Sequence, residues 1–429
     1  MSRMSDNSGN NPPVEVDIAV LGAGMVGASL VAALEGFAGR IAIIDAQQPV
    51  QSITRNDLFV RTVESFDPRV SALTLASQAL LKKVGAWPHL DPAVVQNYRK
   101  MIVWDGMGTA QVRFDAAELH CHSLGAIIEN REIVAALQAV LAKQANLTTC
   151  YQSPVANITP VSQGGAGSQD DGHIVHFSDG QRLQAKLLVA ADGANSFVRQ
   201  RFGLPTREWD YGHQAIVCTV ETEASHDQTA WQRFDESGPL AFLPLPAGEA
   251  SSRFSSIVWS LETDQAKRTF ALSDDAFAKQ LECTFESRLG RVIAVSPRHM
   301  FPLRQRHAKS YLGPSLVLVG DAAHTIHPLA GQGVNQGLKD VSALADILLD
   351  ARGQGIEINH PLLLKRYQRM RQGDNLMMMG VMEGFKRLFG TTNPVLRLVR
   401  NSGMRWFDQQ SLIKSQIARQ AMGLDSLAE

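Results

Sequence analysis

The sequence predicts an α/β chain in which a parallel sheet begins near the N-terminus, a unit of antiparallel strands is inserted into it, and helices follow. Three observations predict it. Residues 14–45 read as strand, glycine turn, helix and strand, the smallest piece of a parallel sheet. The apolar runs in LQAKLLVAADG and SLVLVGDAAH have the unbroken hydrophobicity of strands buried on both faces. Residues 206–304 differ in texture, with strand-like QAIVCTVET, LAFLPLP and FSSIVWSLET and one amphipathic helical stretch around 274–289.

In chain order, MSRMSDNSGNNPP is polar and lacks the apolar core of a signal peptide, so a disordered tail is expected over 1–13. DIAVLGAG is a short apolar run ending in glycines, MVGASLVAALEGF has helical apolar spacing, and RIAIID is a second buried strand. NREIVAALQAVLAKQ, from Asn130, predicts a helix, and SQGGAGSQDDG at 162–172 a long hairpin connection. A further helix is expected from about Gly333 to Ala351. After Gly355 the chain reads as helical, basic and methionine-rich, and it carries no internal repeat.

At 429 residues the chain suits two or three packed units, and 45% hydrophobic against 19% charged residues can bury a large core. A net charge of −1 gives no field that would draw nucleic acid. Cys121, Cys150, Cys218 and Cys283 are widely separated, which excludes a zinc knuckle and a closely spaced redox pair and suits a reducing, cytoplasmic compartment. No run of about 18 apolar residues predicts a membrane-spanning helix.

Three motifs carry chemistry. In GAGMVG, Gly22 makes the turn, Gly24 lets the backbone approach a pyrophosphate, and Gly27 lets helix and strand pack closely. The helix N-terminus then offers free N–H groups to the anion. Asp45 ends the next strand, 21 residues past Gly24, where a carboxylate accepts from ribose hydroxyls. The second motif is Ala191-Asp192-Gly193-Ala194-Asn195-Ser196, which by itself reads as a strand-end turn. The third is GDAAHTIHPLAGQGVNQGLKD, residues 320–340. Asp321 stands where a buried strand ends, placed to accept from a sugar-like chain. Gly331, Gly333 and Gly337 keep the backbone bare beside a flat ligand, and a helix starting near Gly333 points its positive end there. His324 and His327 suggest a metal pair, but no third ligand is within reach, so no metal is expected. With one glycine fingerprint, one dinucleotide has a dedicated site, and any nicotinamide cofactor binds more loosely.

These motifs, in this order and spacing, resemble the aromatic flavoprotein monooxygenases, and within them the ubiquinone-biosynthesis hydroxylases, including the bacterial polyprenylphenol hydroxylases. The resemblance runs from Val14 to about Leu424 and includes RVSALT (69–74), IIENREIVAAL (127–137), ADGANS, WDYGHQA (209–215), LAFLPLP (240–246), GDAAHTIHPLAGQGVN (320–335) and RQAMGL (419–424). It implies a Rossmann-like FAD-binding domain with an inserted antiparallel-sheet substrate domain and a helical C-terminal region, as in para-hydroxybenzoate hydroxylase. The implied boundaries are 14–99, 126–205 and 305–352 for FAD, 100–125 and 206–304 for substrate, and 353–429 for the helical region.

By the same resemblance, Gly22, Gly24, Gly27 and Asp45 hold the ADP half of FAD, Arg69 lies along the pyrophosphate and Asn130 beside the ribityl chain. Asp192 and Gly193 belong to a motif shared by FAD and NAD(P)H, Gly320 and Asp321 reach the ribityl chain, and the backbone of Gly333, Val334 and Asn335 meets the flavin pyrimidine. The Pro328 carbonyl faces the substrate hydroxyl. The implied reaction is hydroxylation of a polyprenylated phenol with NAD(P)H and O2 through a flavin C4a-hydroperoxide. The terminal RQAMGL points to the first ring hydroxylation of the pathway.

No side chain is assigned as catalytic acid or base, since the flavin carries the chemistry. Tyr211 and His213 either polarise a phenol or serve packing. The alternatives are a later ring hydroxylase, a halogenase or isoprenoid reductase on the same fold, and a non-catalytic FAD-holding scaffold of a quinone-biosynthesis complex. None of the six tryptophans (87, 104, 209, 231, 259, 406) is two residues from another, which argues against the halogenase. In residues 374–407, Met378, Met382, Phe385 and Phe389 share a helical face beside Met379, followed by Lys386, Arg387, Arg397, Arg400 and Arg405. This segment either caps the core or meets a prenyl tail, a membrane surface or a partner. The second reading would place the chain peripherally on the inner membrane.

Overall fold

Strand Val14–Leu21 sits in the middle of an eight-stranded sheet, with Arg182–Ala190 on one side and Ile41–Ile44 on the other, both parallel to it. Leu316–Leu318 and Leu147–Cys150 extend the parallel order outward. These strands read as unbroken apolar runs because both faces are covered; Ile18, Val20, Ile43, Leu187, Val189 and Val317 are fully buried. Helix Met25–Ala33 packs against helices Asn130–Leu141 and Gly333–Gly353. The computed structural model describes residues 12–54, 57–58, 60–161, 172–246, 252–325, 333–389 and 393–424. Most of the expected tail and residues 162–171 of the expected hairpin connection lie outside them. Its flanks, Val155–Pro160 and His173–Phe177, do pair as antiparallel strands.

A second, nine-stranded sheet runs in the order His324–Thr325, His299–Ala308, Thr206–Thr222, Phe254–Glu262, Gly238–Pro244, Thr229–Asp235, Lys100–Asp105, Gln111–Asp115, with Val292–Val295 also paired to Thr206–Thr222. It is antiparallel except where Thr229–Asp235 meets Lys100–Asp105. Its last strand is the His324–Thr325 pair, so the GDAAH segment joins both sheets. One face packs Trp104, Phe242, Ile257 and Trp259 on Phe277 and Leu281 of helix Asp274–Thr284. The opposite face packs Ala230, Ala241 and Leu243 against Phe66, Ala72 and Ile127. Ala72 and Ile127 belong to a small sheet of Val70–Leu73, Gly125–Glu129 and Gln96–Tyr98, which thus lies between the two large ones.

Two helices differ from expectation. The stretch expected to about 289 ends at Thr284, and a second helix, Thr263–Phe270, precedes it. TDQAKRTF is too short and polar to declare itself by periodicity. Three helices close the chain, Pro361–Phe389, Pro394–Gln409 and Ser411–Met422.

Candidate functional site: a glycine-lined cleft at the strand ends

The three glycines of the N-terminal turn have three different surroundings. Gly22 has φ +102°, and a Cβ there would lie 2.3 Å from the Ala191 carbonyl oxygen. At Gly27 a Cβ would lie 1.9 Å from the Gly22 carbonyl oxygen. Both glycines are therefore demanded by the protein's own packing. Gly24 is not: its backbone is extended (φ −70°, ψ −175°) and a Cβ would meet nothing within 4 Å. It caps helix Met25–Ala33 without any side-chain partner for the free N–H groups, which leaves an anion-ready helix end facing open space. Asp45 braces this turn, accepting from Ala23 N at 2.7 Å and Gln47 N at 2.8 Å. A carboxylate has about four acceptor sites, so capacity remains for a ribose.

The other two motifs close on the same point. Ala191 N donates to the Leu21 carbonyl at 2.7 Å, setting Asp192 beside the glycine turn. Val26, just inside the helix, packs on Gly320 and Gly337, where added Cβ atoms would come within 3.0 Å and 2.6 Å of it. Gly337 is thus bare for Val26, correcting the expectation that it lies against a ligand. Arg199, which is buried, donates to the carbonyls of Ala194 and Ala322, each at 2.8 Å, and ties the second motif to the third.

Two carboxylates in this cleft have bonding capacity that the described residues leave unused. Oδ1 of Asp192 is buried with no hydrogen bond, and burial raises its pKa against the opposing bonds from Ser196 and Val198. Asp321 is reached by solvent, yet protein crowds it closely enough for desolvation to raise its pKa. No hydrogen bond to the Asp321 carboxylate occurs among the described residues. Carboxylates held this way suit hydrogen-bond donors from a ligand.

Beneath Asp321 lies a polar network that sequence reasoning missed. The buried Asp340 accepts from Gly320 N at 2.9 Å, His324 Nε2 at 2.5 Å and Arg371 Nε at 2.7 Å. Burial alone would raise the Asp340 carboxyl, but the charges and hydrogen bonds of His324 and Arg371 outweigh it and hold it below its usual value. Arg371 continues to Asn375 (3.2 Å), Asn375 to Tyr311 (3.1 Å) and Tyr311 to His307 (2.9 Å). His324 is therefore a structural partner of Asp340. The only sequence signal for Asp340 was its place at the end of the third motif.

Arg69 and Asn130 meet through the Asn130 N–H, which donates to the Arg69 carbonyl at 2.9 Å, while Ser71 Oγ donates to Asn130 Oδ1 at 2.7 Å. The Asn335 side chain is buried and accepts from Thr74 N (3.0 Å) and Ser77 Oγ (2.7 Å), fixing the start of helix Gly333–Gly353 to the neighbouring helix Leu75–Lys83. The backbone of Gly333, Val334 and Asn335 forms the first turn, and a Cβ on Gly333 would meet nothing within 4 Å. Gly193 has φ +80° and similarly open space. Gly331, Pro328 and His327 lie outside the described residues, as do the side chains of Tyr211, Met382, Phe385, Lys386 and Arg387. His213 lies on the long strand opposite Leu303.

Two of the C-terminal arginines do not form a solvated basic face. Arg400 is buried and pairs with the equally buried Asp105 at 2.6 Å, and Arg397 pairs with Glu236. The exposed residues of this region include apolar ones, Leu398 (70% exposed), Val399, Trp406 and Leu412 (86%), alongside the exposed Arg405 and Arg419.

Residues 15–373 match the family described as FAD binding domain. The chain is 35% identical over 414 residues to the 3-demethoxyubiquinol 3-hydroxylase of Escherichia coli, covering 96% of this chain and 100% of that protein. It is also 35% identical over 408 residues to the ubiquinone hydroxylase UbiL of Rhodospirillum rubrum, covering 95% and 89%. The chain belongs to the ubiquinone-biosynthesis FAD-dependent hydroxylase family. This hydroxylase is an aromatic monooxygenase with FAD as cofactor and NAD(P)H as co-substrate. Its fold is shared with p-nitrophenol 4-monooxygenase PnpA of Pseudomonas putida, at TM-score 0.71 and 19% identity over 96% of this chain and 98% of that one. PqsL of Pseudomonas aeruginosa gives 0.71 and 17% over 91% and 99%. The bare Gly24, the unpaired Asp321 and the orphaned Asp192 oxygen all fit FAD.

Proposed function

We propose that this hydroxylase adds oxygen to the ring of a polyprenylated quinol late in ubiquinone biosynthesis, on a substrate of the 3-demethoxyubiquinol type. The full-length match to the E. coli enzyme carries this reading, since it spans the antiparallel sheet as well as the FAD-holding segments. The first ring hydroxylation, on a 2-polyprenylphenol, is the second reading and rests on the terminal RQAMGL. Ala418 and Met422 of that region pack on Ala116, Leu119 and Leu124, so packing is sufficient reason for those residues.

FAD, when bound, takes hydride from NAD(P)H and activates O2. The chain supplies the binding. Gly22, Gly24, Gly27 and Asp45 hold the ADP half, and Arg69 and Asn130 the pyrophosphate and ribityl chain. Asp192 and Gly193 flank the dinucleotide, Gly320 and Asp321 take the ribityl hydroxyls, and the backbone of Gly333–Asn335 the flavin edge. For the isoprenoid tail, the exposed Leu398, Val399, Trp406 and Leu412 suit contact with a membrane surface; no helix among the described residues is long and apolar enough to cross one.

The deciding experiment is a deletion strain whose accumulated quinone precursors are profiled. Accumulation of a demethoxy-ubiquinone supports the proposal, accumulation of a polyprenylphenol selects the second reading, and an unchanged quinone pool overturns both.

A further inference from the structure

Arg69 combines a fixed backbone with an uncommitted side chain. Its N–H donates to Oδ1 of Asp67 at 2.8 Å, and its carbonyl accepts from Asn130 N at 2.9 Å. Its side chain is exposed, and the guanidinium makes no hydrogen bond or ion pair with any described residue. Holding the main chain of an exposed residue on both sides costs conformational entropy, and the side chain returns none of it within the protein. A free cation on a pinned backbone needs a reason.

The pin is anchored in the interior. Asp67 N donates to Oε2 of Glu129 at 2.7 Å, so two carboxylates in series run from Glu129 through Asp67 to Arg69. Glu129 is buried and forms ion pairs with Arg61 at 2.8 Å and Arg131 at 2.7 Å. Arg131 also donates to the Ser65 carbonyl at 2.8 Å. The Arg61 guanidinium lies 4.3 Å from the centre of the Phe66 ring, and Phe66 meets Phe254 of the antiparallel sheet, ring centroids 5.4 Å apart. Residues 61–69 are thus held from two sides, by the start of helix Asn130–Leu141 and by the antiparallel sheet.

The same turn is tied to both ends of the cleft. Arg69 precedes strand Val70–Leu73, whose far end is fastened to the first turn of helix Gly333–Gly353, where Asn335 Nδ2 donates to the Ala72 carbonyl at 2.8 Å. Helix Asn130–Leu141 starts at the Arg69 carbonyl and packs on helix Met25–Ala33, which Gly24 caps. Arg61 and Arg131 offset the charge of Glu129, so the anchor does not repel a phosphate.

We propose that Asp67 is a positioning residue for the cofactor: suspended from Glu129, it fixes the Arg69 backbone so that the guanidinium is presented along the FAD diphosphate. The proposal rests on the reading that Arg69 lies along the pyrophosphate, and it names what aims the side chain there. An arginine grips phosphate through a directional fork of N–H donors, and setting its main chain beforehand removes part of the ordering cost of binding. In this role Asp67 acts only through Arg69, by accepting a hydrogen bond, and its charge is not required.

The test is the rate of FAD release from the purified, FAD-loaded enzyme on dilution, read as the recovery of free-flavin fluorescence, with the melting temperature taken alongside. Arg69→Met is expected to speed release about tenfold and Asp67→Ala roughly fivefold. Asp67→Asn keeps an acceptor at the same place and is expected to release FAD as slowly as wild type. The double variant, Asp67→Ala with Arg69→Met, is expected to release it no faster than Arg69→Met alone, because residues that act through one another do not add. A merely structural Asp67 would instead lower the melting temperature and add its loss to that of Arg69. The assignment is overturned if the two losses add, if Asp67→Ala holds FAD normally or fails to fold, or if Asp67→Asn releases FAD as fast as Asp67→Ala. Arg69→Met with wild-type release brings down the pyrophosphate reading of Arg69 and this assignment with it. Faster release from Arg69→Met, with Asp67 variants silent or additive, brings down this assignment alone.

Discussion

Nε2 of His324 lies 2.5 Å from Oδ2 of Asp340, and the other oxygen of that carboxylate accepts from Arg371 at 2.7 Å. Because Gly320 N donates to the same carboxylate, the loop that presents Asp321 is hung from a buried charge on the helix behind it.

Asp340→Ala should therefore cost both stability and cofactor. Removing one partner of a buried, hydrogen-bonded ion pair costs about 3–5 kcal/mol, and Arg371 would keep only the largely exposed Asp374. Denaturant unfolding and bound FAD per protein measure the two effects. A variant of wild-type stability would mean that the network is dispensable.

The far end of the network predicts the acid response. Burial lowers the pKa of His307 from 6.5 to about 4, so the folded protein keeps it neutral while the unfolded chain takes up a proton below 6.5. Stability should fall as pH drops from 6.5 towards 4. Asp340, also held low, contributes in the same direction at lower pH, its stabilisation lost as pH falls through its folded value. His307→Gln should flatten the upper part of this slope in melting curves taken across that range.

The glycines of the turn should separate folding from binding. Gly27→Ala drives a methyl into the Gly22 carbonyl and should prevent the protein from accumulating folded. Gly24→Ala meets nothing in the protein itself and should melt like wild type as apoprotein, yet bind FAD poorly because the methyl stands where the pyrophosphate approaches. Equal loss of stability in both variants would contradict the difference in their surroundings.

Asp321→Ala should lose FAD before it loses its fold, since no described residue bonds to that carboxylate. A charge-assisted hydrogen bond is worth about 1.5–3 kcal/mol, roughly ten- to hundredfold in affinity. Asp45→Ala removes the brace on Ala23 as well and should weaken FAD while lowering the melting temperature. Retention of wild-type FAD affinity by either variant would reject its place in the site.

For the membrane surface, Leu398→Glu combined with Leu412→Glu should reduce co-sedimentation with liposomes and turnover of long-tailed substrate in them. A short-tailed substrate in solution should still be turned over. Arg400→Glu, by contrast, should fail to fold because it places a second carboxylate against buried Asp105.

The sequence by itself determined what depends on neighbours along the chain. The glycine turn, its helix, and the carboxylate closing the next strand follow one another along the chain and were legible from their spacing, although the atom that forbids a Cβ on Gly22 comes from Ala191 on another strand. The parallel strands were legible because burial on both faces leaves an unbroken apolar run. Helix Thr263–Phe270 was not, since a short polar helix takes its stability from packing rather than from its own pattern. Only the tertiary structure decided which polar groups are satisfied. Asp340 finds Arg371 on another helix, Arg400 finds Asp105 across 295 residues of chain, and Nε2 of Gln232 finds no partner. Hydrogen bonding is a property of a group's surroundings, and for a side chain buried between sheets those surroundings exist only once distant strands and helices have been brought together.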